Sequence, residues 1–259
     1  MPFEPCLIPG HPLWEVFHES SKWGTEDFQE VARRSRRSSR HSNVTSSEYS
    51  RTLTVALPDP TGESRLTARL HDLLSRRRSA REFASVAMQW EEVAAILWAA
   101  SGAVSGDAYR THARTAPSAG ACYPIDLYFY LPVARGGRSS GPYRYHPEPH
   151  AASLLPTGLP LPTLRAAVAY PDLVERCGLL IFLAAVFSRS TVKYGARGYR
   201  FALIEAGHIG QNIYLAATAL GLGAVAIGGW EDATVDSSLG LDGVRASVLY
   251  TVAVGSIRE

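Results

Sequence analysis

Lys193 and Tyr194 are adjacent and offer the chain's most direct route to proton chemistry. A cation beside a phenol favours the phenolate, so this tyrosine is a candidate general base. Lysine is scarce: of 26 basic residues 24 are arginine, and only Lys22 and Lys193 are lysine. Genome base composition is the ordinary cause of that bias, yet one of the two lysines stands just ahead of the most polar-patterned helix. A second cluster holds four guanidiniums within six residues, Arg76, Arg77, Arg78 and Arg81. They repel one another unless an anion is shared among them, and arginine's planar fork suits phosphate. A phosphate-bearing cofactor and a solvated helix end both fit this cluster.

Two small-residue segments let backbone approach a flat ligand. Thr115-Ala116-Pro117-Ser118-Ala119-Gly120 is one; Ala226-Ile227-Gly228-Gly229-Trp230, after an apolar run, is the other. Either also reads as an ordinary tight turn. Glu205, His208, Gln211 and Asn212 form a polar stripe on an otherwise apolar helix. A carboxylate-bridged metal would need a second Glu-x-x-His pair on a partner helix, and there is none, so no metal is expected. A buried, hydrogen-bonded stripe is the favoured reading, with Gly207 allowing close helix packing. No G-x-S-x-G elbow is present and no cysteine has an evident histidine partner, which argues against a nucleophilic triad.

The elements that must hold these residues come from a chain of 259 residues, 46% hydrophobic, with a net charge of +2. That composition builds a sizeable core in one large domain or two small ones. So small a charge excess argues against a nucleic-acid binder. Cys6, Cys122 and Cys177 are too few for a disulfide framework, and the N-terminus lacks the pattern of a signal peptide. The uncharged stretch Ile213 to Trp230 is broken by four glycines and reads as a buried helix running into a strand, not a membrane span. A cytoplasmic protein is the expectation.

Residues 11–31 read as a short amphipathic helix, with Leu13, Trp14, Phe17 and Trp23 on its apolar face, inside an N-terminal segment 1–32. Residues 33–65 are dominated by Arg, Ser and Thr and read as a flexible linker with little apolar area to offset ordering entropy. Five arginines between Arg33 and Arg40 suit either an acidic partner or a solvated tether. From Leu66 onward, helix periods alternate with strand-like runs: Leu127–Val133, a hairpin over Tyr143–His146 and Ala152–Leu155, and Gly178–Phe187. A short helix over Thr163–Ala169 and a long one over Ala196–Leu220 follow the same reading, and strands at Ala224–Gly228 and Ser247–Val254 close the chain. The fold class is α+β, a sheet sandwiched by helices, with 66–259 as one domain.

In order, LSRRRSAREF (74–83), TAPSAGACYP (115–124), KYGARGYRFALIEAGHIGQNIYLAATALGLGA (193–224) and AIGGW (226–230) resemble the nitroreductase-like flavoproteins. More closely, the chain resembles SagB-type thiazole/oxazole dehydrogenases, which oxidise azoline rings to azoles in peptide natural products. HPLWEVFHESSKW (11–23) is similar to the N-terminal stretch of that group. The resemblance implies a central, mostly antiparallel sheet, an intertwined homodimer and bound FMN. It implies that Arg77, Arg78, Ser79 and Arg81 hold phosphate, ribityl chain and pyrimidine edge, with Arg258 joining the phosphate. Pro117, Ser118, Ala119 and Gly120 would reach the flavin from the neighbouring subunit. Ile227, Gly228 and Gly229 would place a backbone amide near its N5. The long 33–65 insert departs from the pattern, and the tail stops one residue after Arg258.

The same resemblance puts the group's Lys-Tyr pair on Lys193 and Tyr194. Aromatising an azoline removes a proton from one ring carbon and a hydride from its neighbour; FMN would take the hydride at N5, and a base must take the proton. Oxygen is the expected reoxidant. The expected substrate is a peptide or carrier-bound azoline, with a cyclodehydratase or synthetase as possible partner. An NAD(P)H-dependent nitro- or quinone reductase is the alternative enzyme, and a non-catalytic scaffold the alternative outside enzymes.

Overall fold

The computed structural model describes residues 13–22, 30, 54–60, 66–104, 113–133 and 139–258. Between the strands Ile125–Leu131 and Ala246–Gly255 in its sheet lies β5 (Leu179–Val186), whose alternate side chains enter two different cores. Leu179, Ile181, Leu183 and Ala185 face one; Leu180, Phe182 and Ala184 face the other. A continuous apolar run therefore marks a strand covered on both sides. Around it are β1 (Thr54–Ala56), β2 (Ile125–Leu131), β3 (Gly141–His146), β4 (Ala151–Leu154), β6 (Gly223–Ile227) and β7 (Ala246–Gly255). Their order is β1-β4-β3-β2-β5-β7-β6, and every neighbouring pair is antiparallel.

Helices cover both faces. On the first lie α3 (Trp90–Ser101) and the 23-residue α7 (Arg197–Ala219). Ala202, Ala206, Ile209, Ile213, Ala216 and Ala217 face that core at helical spacing. A capping box starts α3: the Gln89 side chain accepts an N–H at Glu92, and the Gln89 N–H donates to the Glu92 carboxylate at 2.8 Å. Helix α7 stops where Gly221 takes φ of +73°, with Leu222 N–H on the Ala217 carbonyl at 2.8 Å. On the second face are α4 (Leu161–Ala166), α5 (Pro171–Arg176) and α8 (Asp232–Ser238), while α2 (Leu70–Arg76) precedes the arginine motif and α6 (Ser188–Tyr194) joins β5 to α7.

The expected strands and the long helix are present, with ends shifted by a residue or two, and the sheet is wholly antiparallel. The 33–65 stretch needs correcting in part. Thr54–Ala56 pairs with Ala151–Ser153, Leu57 is buried, and His150 Nε2 donates to the Pro58 carbonyl at 3.0 Å. That piece is sheet edge, not tether; the arginine-rich part, 33–40, lies outside the described residues. Of the 11–31 helix the described portion is α1 (Leu13–Ser20), docked by Phe17 on Tyr199 with ring centroids 5.1 Å apart. Arg200 Nε donates to Ser21 Oγ at 2.6 Å and Arg197 Nε to the Ser21 carbonyl at 3.1 Å. Trp23 lies outside the described residues. Among those described, no helix is long and apolar enough to cross a membrane.

Candidate functional site

Lys193 and Tyr194 form the last turn of α6. The turn ends at Gly195 (φ +58°), and Ser190 Oγ donates to the Gly198 carbonyl at 2.9 Å, locking α6 against the start of α7. A Cβ on Gly198 would collide with the backbone of Ser190 and Thr191, so the glycine lets the two helices close. The Tyr194 ring is buried edge-on against Phe201, centroids 4.9 Å apart, and Lys193 Nζ lies 5.3 Å above that ring.

Both polar tips converge on the 115–124 loop. Lys193 Nζ donates to the Gly120 carbonyl at 3.4 Å. A Cβ on Gly120 would overlap the Tyr194 hydroxyl and the Lys193 ammonium, and φ there is +59°. Glycine is thus required twice, for the space and for the left-handed turn. The loop is built around Ser118, whose Oγ accepts the Tyr123 N–H at 2.8 Å, and around Thr115, whose hydroxyl donates to the Trp98 carbonyl at 3.0 Å. Pro117 is exposed, and Ala119–Ala121 forms a 3₁₀ turn. Behind the loop Glu205 is buried in α7, and burial pushes its carboxyl up to about 7. Burial likewise raises the Cys122 thiol, which Lys193 opposes.

The arginine motif lies along the β6 side of the molecule. Ser79 forms a parallel bridge with Ala224, and the Ala80 N–H donates to the Ala224 carbonyl at 2.9 Å. Arg77 stands over the Tyr214 ring at 5.5 Å. The Tyr214 hydroxyl accepts the Ala226 N–H at 2.8 Å and lies 3.2 Å from Ser79 Oγ. Phe83 bridges Ile257, and the Arg258 N–H donates to the Glu82 carbonyl at 3.2 Å, which sets Arg258 opposite Glu82, the residue after Arg81. Arg78 turns back on its helix end, donating to the carbonyls of Ser75 and Arg77 at 2.8 Å each. Among the described residues no carboxylate pairs with Arg77, Arg78, Arg81 or Arg258. Ile227, the last residue of β6, is buried, and beyond it Gly228 is exposed with open space where a Cβ would stand. Gly229 is held by the Ala169 N–H on its carbonyl at 2.9 Å, and the buried Trp230 Nε1 beside it has no partner among the described residues.

The structure therefore brings the expected residues together in two groups, not one. Lys193, Tyr194 and Gly120 meet beside the first part of α7, and the loop bearing Pro117–Gly120 runs on along the helix, with Ser118 at Glu205 and Thr115 at Asn212. Arg77, Ser79, Arg81, Arg258 and Ile227–Gly229 gather around its other end. From Arg197 to Tyr214 the helix rises about 25 Å. Tyr214 went unnoticed in the sequence, because a tyrosine on an apolar helix reads as core. The polar stripe divides: Glu205 is buried, Asn212 donates to the Thr115 carbonyl at 3.5 Å, and His208 and Gln211 are exposed. Among the described residues no group of His, Cys, Asp or Glu is arranged to hold a metal.

The fold is thus an antiparallel sheet between two helical layers. A profile described as "Nitroreductase family" matches residues 74–256, and the chain belongs to that family. It is 34% identical over 181 residues to the nitroreductase-family protein MJ1384 of Methanocaldococcus jannaschii, covering 70% of this chain and 86% of that one. It is 29% identical over 154 residues to the microcin B17-processing protein McbC of Escherichia coli, covering 56% of this chain and 55% of McbC. Among solved structures, a nitroreductase-like protein of Ralstonia eutropha matches with TM-score 0.67 at 27% identity, over 80% of this chain and 90% of that one. A chain of the E. coli microcin synthetase McbBCD complex with truncated pro-MccB17 bound matches with TM-score 0.62 at 21% identity, over 95% and 92%. A nitroreductase-like protein of Desulfovibrio desulfuricans in complex with FMN shares the fold with TM-score 0.53 at 22% identity, over 74% and 88%.

Proposed function

We propose that this chain is an FMN-dependent dehydrogenase that oxidises thiazoline or oxazoline rings to azoles in a peptide or carrier-bound intermediate, acting as a homodimer. The observation that carries the reading is the convergence of Lys193 and Tyr194 on Gly120. An enzyme that only reduces flavin with a nicotinamide has no need of a buried phenol beside an ammonium.

FMN fits the other end of α7. Its phosphate would meet Arg77, Arg81, Arg258 and Ser79, a donor set without competing carboxylates among the described residues. The open space at Gly228 leaves room for a ring to approach the backbone. When bound, FMN supplies the acceptor for the hydride that leaves one ring carbon. The Tyr194 oxygen takes the proton from the neighbouring carbon, and Lys193 stabilises the negative charge this requires on phenol or substrate. The loop at Gly120 fixes both side chains before substrate arrives.

Lys193 and Tyr194 stand beside the start of α7 and the arginine motif beside Tyr214 near its end, so one flavin would draw on the two groups most readily across a pair of subunits. In a two-fold dimer the Lys193–Tyr194 end of one chain meets the arginine end of its partner. The exposed Val192, Leu203 and Ile204 beside the pair supply apolar surface for that contact. The McbC relative supports a peptide substrate and a synthetase partner. The greater identity to MJ1384 favours the second reading, an NAD(P)H-dependent nitro- or quinone reductase. Anaerobic mixing with NADPH separates the two: a flavin that stays oxidised supports the azoline reading, and rapid bleaching supports the reductase.

A further inference from the structure

A glutamate buried at mid-helix is costly unless it is protonated or well paired. Glu205 is 3% exposed. Its Oε1 accepts the Ile125 N–H at 3.5 Å, the Ser118 hydroxyl stands beside its carboxyl and favours the charged form, and among the described residues Oε2 has no partner. Ser118 and Ile125 are the two ends of the turn that carries Gly120. One carboxyl therefore ties both ends of the segment on which Lys193 and Tyr194 sit.

The surrounding charges do not neutralise it. Arg189, from α6, is engaged with Asp126 at 2.6 and 3.0 Å. Arg114, from the loop's approach, pairs with Glu148 at 3.4 Å and lies over the Tyr123 ring. Lys193 donates to Gly120, Cys122 and Tyr123 are the titratable side chains on the loop itself, and His208, one turn along α7, is exposed.

We propose that Glu205 is a positioning residue: it clamps the Ser118–Ile125 segment and so sets the Lys193–Tyr194 pair against Gly120. The consequence for turnover rests on the azoline-oxidase reading; the clamp itself does not. The clamp works with the carboxyl uncharged, because an ionised carboxylate at this depth draws water and loosens the segment. Burial raises its protonation midpoint to about 7, so the neutral form persists into the working range.

The test is hydrogen exchange of amides 118–125 in the FMN-loaded protein at pH 6 and pH 8, with kcat and KM measured alongside. Glu205→Ala raises exchange there about tenfold at both pH values and lowers kcat by a similar factor with KM unchanged. Glu205→Gln keeps an acceptor for Ile125 but cannot ionise, so it restores protection at pH 6. At pH 8 it protects the segment better than wild type does. If the alanine variant fails to fold, wild type against Glu205→Gln across pH decides alone. Superimposable exchange for those two at both pH values overturns the proposal. If exchange responds as stated but no azole forms, the clamp stands and the functional reading falls; normal azole formation with unmoved exchange in Glu205→Ala does the reverse.

Discussion

Seventy-three residues separate Gly120 from Lys193 in the chain, yet the lysine ammonium donates to the glycine carbonyl at 3.4 Å. This contact turns two unremarkable sequence features, a small-residue turn and a helix-terminal lysine, into one unit. Gly120→Ala tests it directly. The added methyl collides with the Tyr194 hydroxyl and sits at a φ of +59°, which costs about 1 kcal/mol of backbone strain. The expected result is a modest fall in thermal stability, retained FMN and a loss of turnover of about 100-fold.

Separation of the two residue groups along α7 makes a prediction about subunits. Arg77→Ala and Tyr194→Phe, each inactive alone, complement one another when co-expressed. Hybrid dimers contain one site with both wild-type groups, so random pairing restores about a quarter of wild-type activity. No recovery places both groups in the same subunit's site and removes the geometric case for the dimer.

Tyr214 links the arginine motif to β6 through the Ala226 N–H and Ser79. Tyr214→Phe leaves that N–H without its acceptor, a cost of about 1–3 kcal/mol. The adjoining Gly228–Gly229 segment loosens with it. Titration of apoprotein with FMN is expected to show affinity about tenfold weaker, while Lys193→Ala leaves it unchanged.

Two buried groups give opposing pH dependences. Glu205 rises to about 7 from an ordinary 4.5, so its folded-state advantage is full below pH 4.5 and is lost as pH rises to 7. His146 is pulled down to about 4 by burial, then by Arg144, with Nε2 2.8 Å from Ser153 Oγ. Its neutral form stabilises the fold above pH 6.5, and that contribution is lost as pH falls towards 4. Each is worth about 3 kcal/mol across its window, so in wild type they largely cancel. In urea unfolding, Glu205→Gln gains on wild type as pH rises from 4.5 to 7, and His146→Gln gains as pH falls from 6.5 to 4. Parallel pH curves for all three proteins contradict this.

Much of the fold was legible because its signals are local and long. Residues 179–186 are apolar throughout since both faces of β5 are covered, and α7 carries a helical period through 23 residues to a glycine stop. What escaped was short or depended on distant partners. Thr54–Ala56 is three residues whose strand character comes from β4, nearly a hundred residues later. Helices α5 and α8, of six and seven residues, span too few turns to show a period. At the site, the pairing of Lys193 with Tyr194 could be seen in the sequence, but not that Gly120 seats both. Glu205 looked like one member of a stripe; its burial opposite Ser118 separates it from His208 and Gln211.

The most direct test is to give the FMN-loaded protein a thiazoline-containing peptide in air, without a nicotinamide, and follow the peptide by mass spectrometry. The expected product is lighter by about two mass units, formed by wild type but not by Tyr194→Phe or Lys193→Ala, both of which retain FMN. An unchanged peptide with fully loaded wild-type protein, or equal conversion by the two variants, contradicts the assignment of these residues to azoline oxidation.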